Sequence, residues 1–131
     1  MSEIDMTSAR QRALGAVRIG DVIYGLSGAG NEKLLLVYDV SDDSIFARHI
    51  TSQTSARFDR ADGETKSIPS GGSCRIVSTA ALPASRHEIA IGLDHKMRTG
   101  KAHPDFVLSK AEIDLLLTSG DFFRAHLLPE R

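Results

Sequence analysis

Lys33-Leu34-Leu35-Leu36-Val37-Tyr38-Asp39-Val40 sets the architecture of this chain. A strand with one wet face alternates apolar and polar residues. A run without alternation, Leu34 to Tyr38, reads instead as a strand covered on both faces. It is far shorter than the roughly 20 residues a membrane helix requires. The chain must therefore place material on both sides of this strand.

Outward from it the texture stays β-rich. Segments of Ile, Val, Phe, Tyr and Thr alternate with Gly, Asp, Asn and Ser. Asp21–Leu26 precedes it across the glycine-bearing link Ser27-Gly28-Ala29-Gly30-Asn31. Ser41-Asp42-Asp43 forms a turn into Ser44–Thr51, and Ser55–Arg60 follows. Asp62-Gly63 is a hairpin signal leading into Glu64–Ile68. Pro69-Ser70-Gly71-Gly72 breaks the chain before a last strand, Cys74–Thr79. Six short strands within about 60 residues predict a small antiparallel barrel or sandwich.

The flanks are helical. Residues 1–17 read as a loose tail or a short helix opened by Ser8 with Gln11 and ended by Gly15. Beyond Thr79, Ser85 with Glu88 fits a capping box, and Ile89, Leu93 and Met97 form one helical stripe. Gly92 leaves a strand over Glu88–Leu93 as the competing assignment. Gly100–Pro104 reads as a loop. Ser109 with Glu112 opens a further helix with the stripe Ile113, Leu116, Leu117, which Gly120 would end. Asp121 would cap a short last helix carrying Phe122, Phe123 and Leu127. The expected core comprises Val22, Leu35, Val37, Ile45, Ile76, Leu93, Leu116 and Phe123.

Composition bounds the function classes. The 131 residues suit one domain, 1–131, divided into 1–17, the barrel 18–79 and the helical part 80–131. Sixteen Lys and Arg against seventeen Asp and Glu exclude a molecule that is basic overall, although a local patch can still bind phosphate. Such an imbalance runs from Arg86 to His103, where Lys96, Arg98 and Lys101 accompany His87, His95 and His103. No apolar leader follows Met1, and the single Cys74 suits a reducing compartment, so the expected location is the cytoplasm.

No strong catalytic signature is present. Gly25, Gly28 and Gly30 space as G-x-x-G-x-G, which is not the dinucleotide order. His87-Glu88 begins like a zinc-protease motif, but Ile91 stands where the second histidine belongs, so neither metal nor other cofactor is expected. Cys74 reads as a packed strand cysteine. Arg48-His49-Ile50-Thr51-Ser52 is richer. An imidazole, two hydroxyls and a guanidinium are the groups that metal-free RNA cleavage uses, as a base for the 2′-hydroxyl and as donors to the phosphorane charge. Strand alternation puts His49 and Thr51 on one face and Arg48 on the other. Lys33 or Arg57 from a neighbouring strand is then the better cation.

Gly20-Asp21-Val22-Ile23-Tyr24, the glycine loop, the strand closing in Ile50-Thr51-Ser52 and the Phe58 hairpin strand together resemble the PemK/MazF-like toxins. These are plasmid-maintenance and cell-growth-inhibitor ribonucleases. The resemblance spans about residues 18–79. It implies a β-rich α+β fold, a small SH3-like antiparallel barrel of about six strands with two or three helices packed on it. It also implies an RNA-binding protein with metal-independent endoribonuclease activity. Thr51 matches the family's third-strand threonine. The family's Arg-Pro pair after the loop glycine is absent, because the chain reads Gly30-Asn31-Glu32-Lys33. Lys33 takes the arginine's place as a charge without its bidentate fork. The candidate catalytic residues are thus Thr51, His49 and Lys33, and the candidate nucleic-acid contacts are Arg57, Lys96, Arg98 and Lys101. Expected partners are single-stranded RNA, a cognate antitoxin or other protein, and a second copy in a homodimer, with no membrane. The alternative is a non-catalytic interaction or regulatory module that uses the helical C-terminal part.

Overall fold

A computed structural model describes residues 2–66, 73–100 and 103–129, with backbone alone for residues 2–8. The element order is α1 (Ser2–Gly15), β1 (Val22–Ser27), β2 (Glu32–Val40), β3 (Ser44–His49), β4 (Ser55–Asp59), β5 (Cys74–Ser78), α2 (Ala84–Gly100) and α3 (Lys110–Arg124). The five strands form one antiparallel sheet in the order β4-β3-β2-β1-β5, curled into a half-barrel. Single bridges, Phe58 with Thr65 and Glu64 with Arg75, link its two edge strands through the segment after the hairpin. Among the described residues, these bridges are what stands at the predicted strand Glu64–Ile68. Positions 67 and 68, and the predicted break 69–72, lie outside the described residues.

Strand β2 is the spine, and it is buried on both faces as its unbroken apolar run requires. Leu35 and Val37 face the inside of the curl with Ile23, Ile45, Ala47, Phe58, Cys74 and Ile76, under a lid of Leu14, Val17 and Leu128. Leu34 and Leu36 face outward with Val22, Tyr24 and Ile50, against Ala90, Leu93 and Met97 of α2 and Leu115 and Phe123 of α3. Two cores therefore share one sheet. Seven of the eight expected core residues are buried, and the eighth, Leu116, is partly buried against the outer core.

One end of the half-barrel is closed by a cation. Arg60 donates to the carbonyls of Leu14, Gly15 and Val17 at the end of α1, and to Ser41 O at 2.6 Å. Leu14 and Gly15 lie in the last turn of α1, where a guanidinium suits the helix dipole. The Asp62-Gly63 turn holds as read: Gly63 has φ of +81°, and Gly63 N donates to Asp59 O at 2.7 Å.

The helices differ from the expectation in three places. Helix α1 begins at Ser2, where a loose tail is predicted. Helix α2, which excludes the strand alternative over Glu88–Leu93, starts before Ser85: its first bond runs from His87 N to Pro83 O. Helix α3 opens on the predicted box, Ser109 Oγ accepting from Glu112 N at 3.1 Å and Glu112 Oε1 from Ser109 N at 2.7 Å. It then runs through Gly120 to Arg124, so Gly120 does not end it and Asp121 caps no separate helix. Gly120 serves packing instead: a Cβ there would lie 2.9 Å from the Tyr24 hydroxyl, and its absence lets Phe123 stack on Tyr24 at 4.8 Å. Of the predicted stripe, Ile113 and Leu117 face solvent, because α3 buries Leu115, Ser119, Gly120 and Phe123. No helix among the described residues is long and apolar enough to cross a membrane.

Candidate functional site

The β3–β4 turn gathers the chemistry read from the sequence. His49 N donates to Thr54 O at 2.8 Å and Gln53 N to His49 O at 2.6 Å, which folds residues 50–53 back on the strand end. Gln53 takes φ of +62°, a left-handed conformation that a side chain rarely adopts. Within the turn the His49 ring lies between two hydroxyls, Nε2 at 3.0 Å from Thr51 Oγ1 and Nδ1 at 2.9 Å from Ser52 Oγ. The predicted sharing of one face by His49 and Thr51 is therefore seen. Lys33 lies on the same inner side by alternation from Leu35, the register partner of His49. Its charge also reaches Cys74, whose thiol burial pushes up and Lys33 pulls partly back.

Arg48, one residue earlier, faces the outside and is committed there. Its Nε and Nη2 donate to Asp94 Oδ1 and Oδ2 of α2 at 2.9 and 2.8 Å, a two-pronged ion pair. Gln53 Nε2 donates to Asp94 Oδ1 at 3.0 Å and to Ile50 O at 2.8 Å, and Arg98 Nη2 stands 3.7 Å from Asp94 Oδ2. Burial alone would raise the Asp94 pKa. The bonds from Arg48 and Gln53 outweigh it and hold the carboxylate below its ordinary value. This knot fastens α2 to the β3–β4 turn and explains how Gln53 keeps its unusual backbone.

A second arrangement occupies the outer side of β2, β3 and β4 and meets the α2 knot at Arg48. The pairing of β2 with β3 slips at Tyr38, which stands between the paired residues Val37 and Asp39 as a bulge. The bulge brings the half-exposed Tyr38 ring to 6.4 Å from Phe46, with the Arg48 guanidinium 5.3 Å from the Tyr38 ring centre. Arg57 is the cross-strand partner of Phe46 and is exposed. Among the described residues it makes no ion pair. The Tyr38 ring, part of Phe46 and the Arg57 guanidinium thus share one sheet surface, with the neutralised Arg48 at its edge.

The remaining candidates sit apart. Lys96 pairs with Glu112 of α3 at 2.8 Å and lies 5.7 Å from the Phe106 ring. Arg98 leans to Asp94, and Lys101 lies outside the described residues. Arg57 and Arg98 are on the outer side, whereas Lys33, His49 and Thr51 belong to the inner side, so the sheet separates the two sets. Asp94, Gln53, Tyr38 and Phe46 carry the geometry without having been singled out by sequence. Asp94 alone left a signal, as a carboxylate inside the buried spacing of Ala90, Leu93 and Met97. Among the described residues no cluster of His, Cys, Asp and Glu could hold a metal ion. No protein-family model, curated protein or solved structure matches this chain.

Proposed function

We propose that this protein is a cytoplasmic, SH3-like barrel that binds a single RNA strand on the outer face of β2, β3 and β4. The observation that carries the reading is the half-exposed Tyr38 ring with the partly buried Phe46 beside it and the exposed Arg57 as Phe46's cross-strand neighbour. Aromatic platforms accept bases of any sequence, and adjacent cations track the phosphates. Binding is the activity this arrangement supports. The imidazole of His49 belongs to the other side of the sheet, away from bases stacked on Tyr38.

The test is fluorescence anisotropy with a labelled single-stranded RNA in EDTA, at several salt concentrations, followed by electrophoresis of the RNA. Tyr38→Ala and Phe46→Ala should each weaken binding by about 1–3 kcal/mol. Arg57→Gln should lower the salt slope by about one contact. Equal binding by wild type and the Tyr38→Ala/Phe46→Ala double variant would sink the proposal. RNA cleavage that disappears in His49→Ala would move the function to the inner rim.

A second reading, association with another copy of the chain, rests on different residues. Ile113, 45% exposed, and Leu117, 76% exposed, lie one turn apart on the outer side of α3. Sedimentation of wild type against Leu117→Asp tests it, and a monomer in both removes it.

A further inference from the structure

Between β1, β5, α1 and the end of α3 lies a cavity of about 240 Å³ that neither reading above uses. Its wall is apolar on one side, formed by Leu26, Val77, Leu127 and Leu128. Leu127 is 59% exposed, an apolar side chain at the lip that none of the described residues covers. The main chain holds this wall in place: Leu128 N donates to Val77 O at 2.8 Å, and Ser78 Oγ to His126 O at 2.7 Å.

The other side is cationic. Arg10 is almost wholly buried, yet its hydrogen-bond partners among the described residues are backbone carbonyls: Asp62 O at 2.9 Å, Pro129 O at 3.1 Å and Ile76 O at 3.4 Å. Carbonyl dipoles orient this guanidinium without cancelling its charge. Arg75 is exposed at the cavity and makes no ion pair among the described residues. Arg124 differs, because Glu32 and Asp121 neutralise it, and the Tyr24 hydroxyl donates to the same Glu32 at 3.1 Å. Among the described residues, therefore, Arg10 and Arg75 have no carboxylate within ion-pair distance, although Glu64 stands opposite Arg75 across the bridge that joins them. A buried guanidinium held by carbonyls alone gains from an anion brought near it.

We infer that this cavity is a binding site for a small amphipathic carboxylate, whose head meets Arg75 in the field of Arg10 and whose apolar body lies on Leu26, Val77 and Leu127. A guanidinium fork matches a carboxylate geometrically, and the leucine wall rewards a hydrocarbon tail. The volume is that of about eight waters, which suits a short aliphatic or single-ring acid rather than a nucleotide. The site stands independently of the RNA reading, on other residues and at another part of the sheet.

The experiment is a titration of the full chain with hexanoate, at constant ionic strength, followed by amide chemical shifts. Hexanol and inorganic phosphate serve as controls. Hexanoate should move the amides of Leu26, Val77 and Leu128 saturably, with a Kd on the order of 1 mM or below. Phosphate and hexanol should each bind at least tenfold more weakly. Arg75→Gln, an exposed change that leaves the core intact, should weaken hexanoate tenfold or more, and Leu127→Ser should weaken it while leaving the phosphate response unmoved. Absence of saturable shifts would overturn the inference, as would hexanoate binding that is indifferent to Arg75→Gln. Phosphate binding as tight as hexanoate would overturn it too, since the pocket would then hold charge alone.

Discussion

Replacing Asp94 by Ala removes the acceptor at the centre of a knot of Arg48, Gln53 and Arg98. The Asp94 side chain is 2% exposed, so its carboxylate has left water almost completely. Taking one partner from a buried pair costs about 3–5 kcal/mol, because the other charge stays uncompensated. Arg48 here is 19% exposed and Arg98 50% exposed, so water can reach both cations once the carboxylate is gone. That relief lowers the expected loss to about 2–4 kcal/mol. For a chain of this size the change corresponds to a fall in Tm of roughly 10 °C. The assay is urea unfolding of wild type, Asp94→Ala, Arg48→Met and the double variant. The double variant should lose less than the sum of the two single changes, by at least about 1 kcal/mol, because neither charge is then left alone. The folded carboxylate titrates below its ordinary value of 3.8, so its contribution is fully present above about pH 4 and is lost as the pH falls through the folded value. Wild type should therefore lose more stability on acidification than Asp94→Asn. A loss below about 1 kcal/mol in Asp94→Ala, or strict additivity in the cycle, would refute the account of the knot.

Three further outcomes follow from the same structure. Leu115→Ala should cost about 2–5 kcal/mol and Leu117→Ala less than about 0.5, measured by thermal or urea unfolding, and the reverse order would mean that α3 is rotated about its axis. Ser109→Ala should cost about 0.5–2 kcal/mol by removing one half of the capping box, whereas Ser109→Asp should restore most of it. The Tyr24 phenol is pushed up to about 12 by burial and by Glu32, so ultraviolet titration should show a late component that vanishes in Tyr24→Phe. Because the folded value is the raised one, Tyr24 stabilises the fold below pH 10, and that contribution is lost as the pH rises through about 12.

Local rules carried five of the six predicted strands and the cap that opens α3, but not the boxes at Ser8 and Ser85. The Leu34–Val37 run demanded cover on both faces because no alternation left a wet side, and two cores cover it. Asp62-Gly63 and Ser109 with Glu112 are short-range devices whose chemistry closes within a few residues, so their sequence sufficed. Alternation likewise separated Arg48 from His49. The tertiary structure decided what depends on a partner distant in sequence. Helix α3 has apolar residues on two sides, Leu115 with Phe123 and Ile113 with Leu117. Which side turns inward is set by the Tyr24 ring stacking on Phe123 through the gap at Gly120. Gly120 has two meanings in sequence, helix end and close approach, and only the neighbouring strand selects between them. The surface of Tyr38 and Phe46 depends on a bulge at Tyr38, a slip between two strands that neither strand announces alone. Asp94 meets Arg48 across 46 positions of chain, and Arg10 reaches the carbonyl of Pro129 across 119. Charges so far apart in sequence become a knot or a pocket only when burial removes the water between them, and that is a property of the folded molecule.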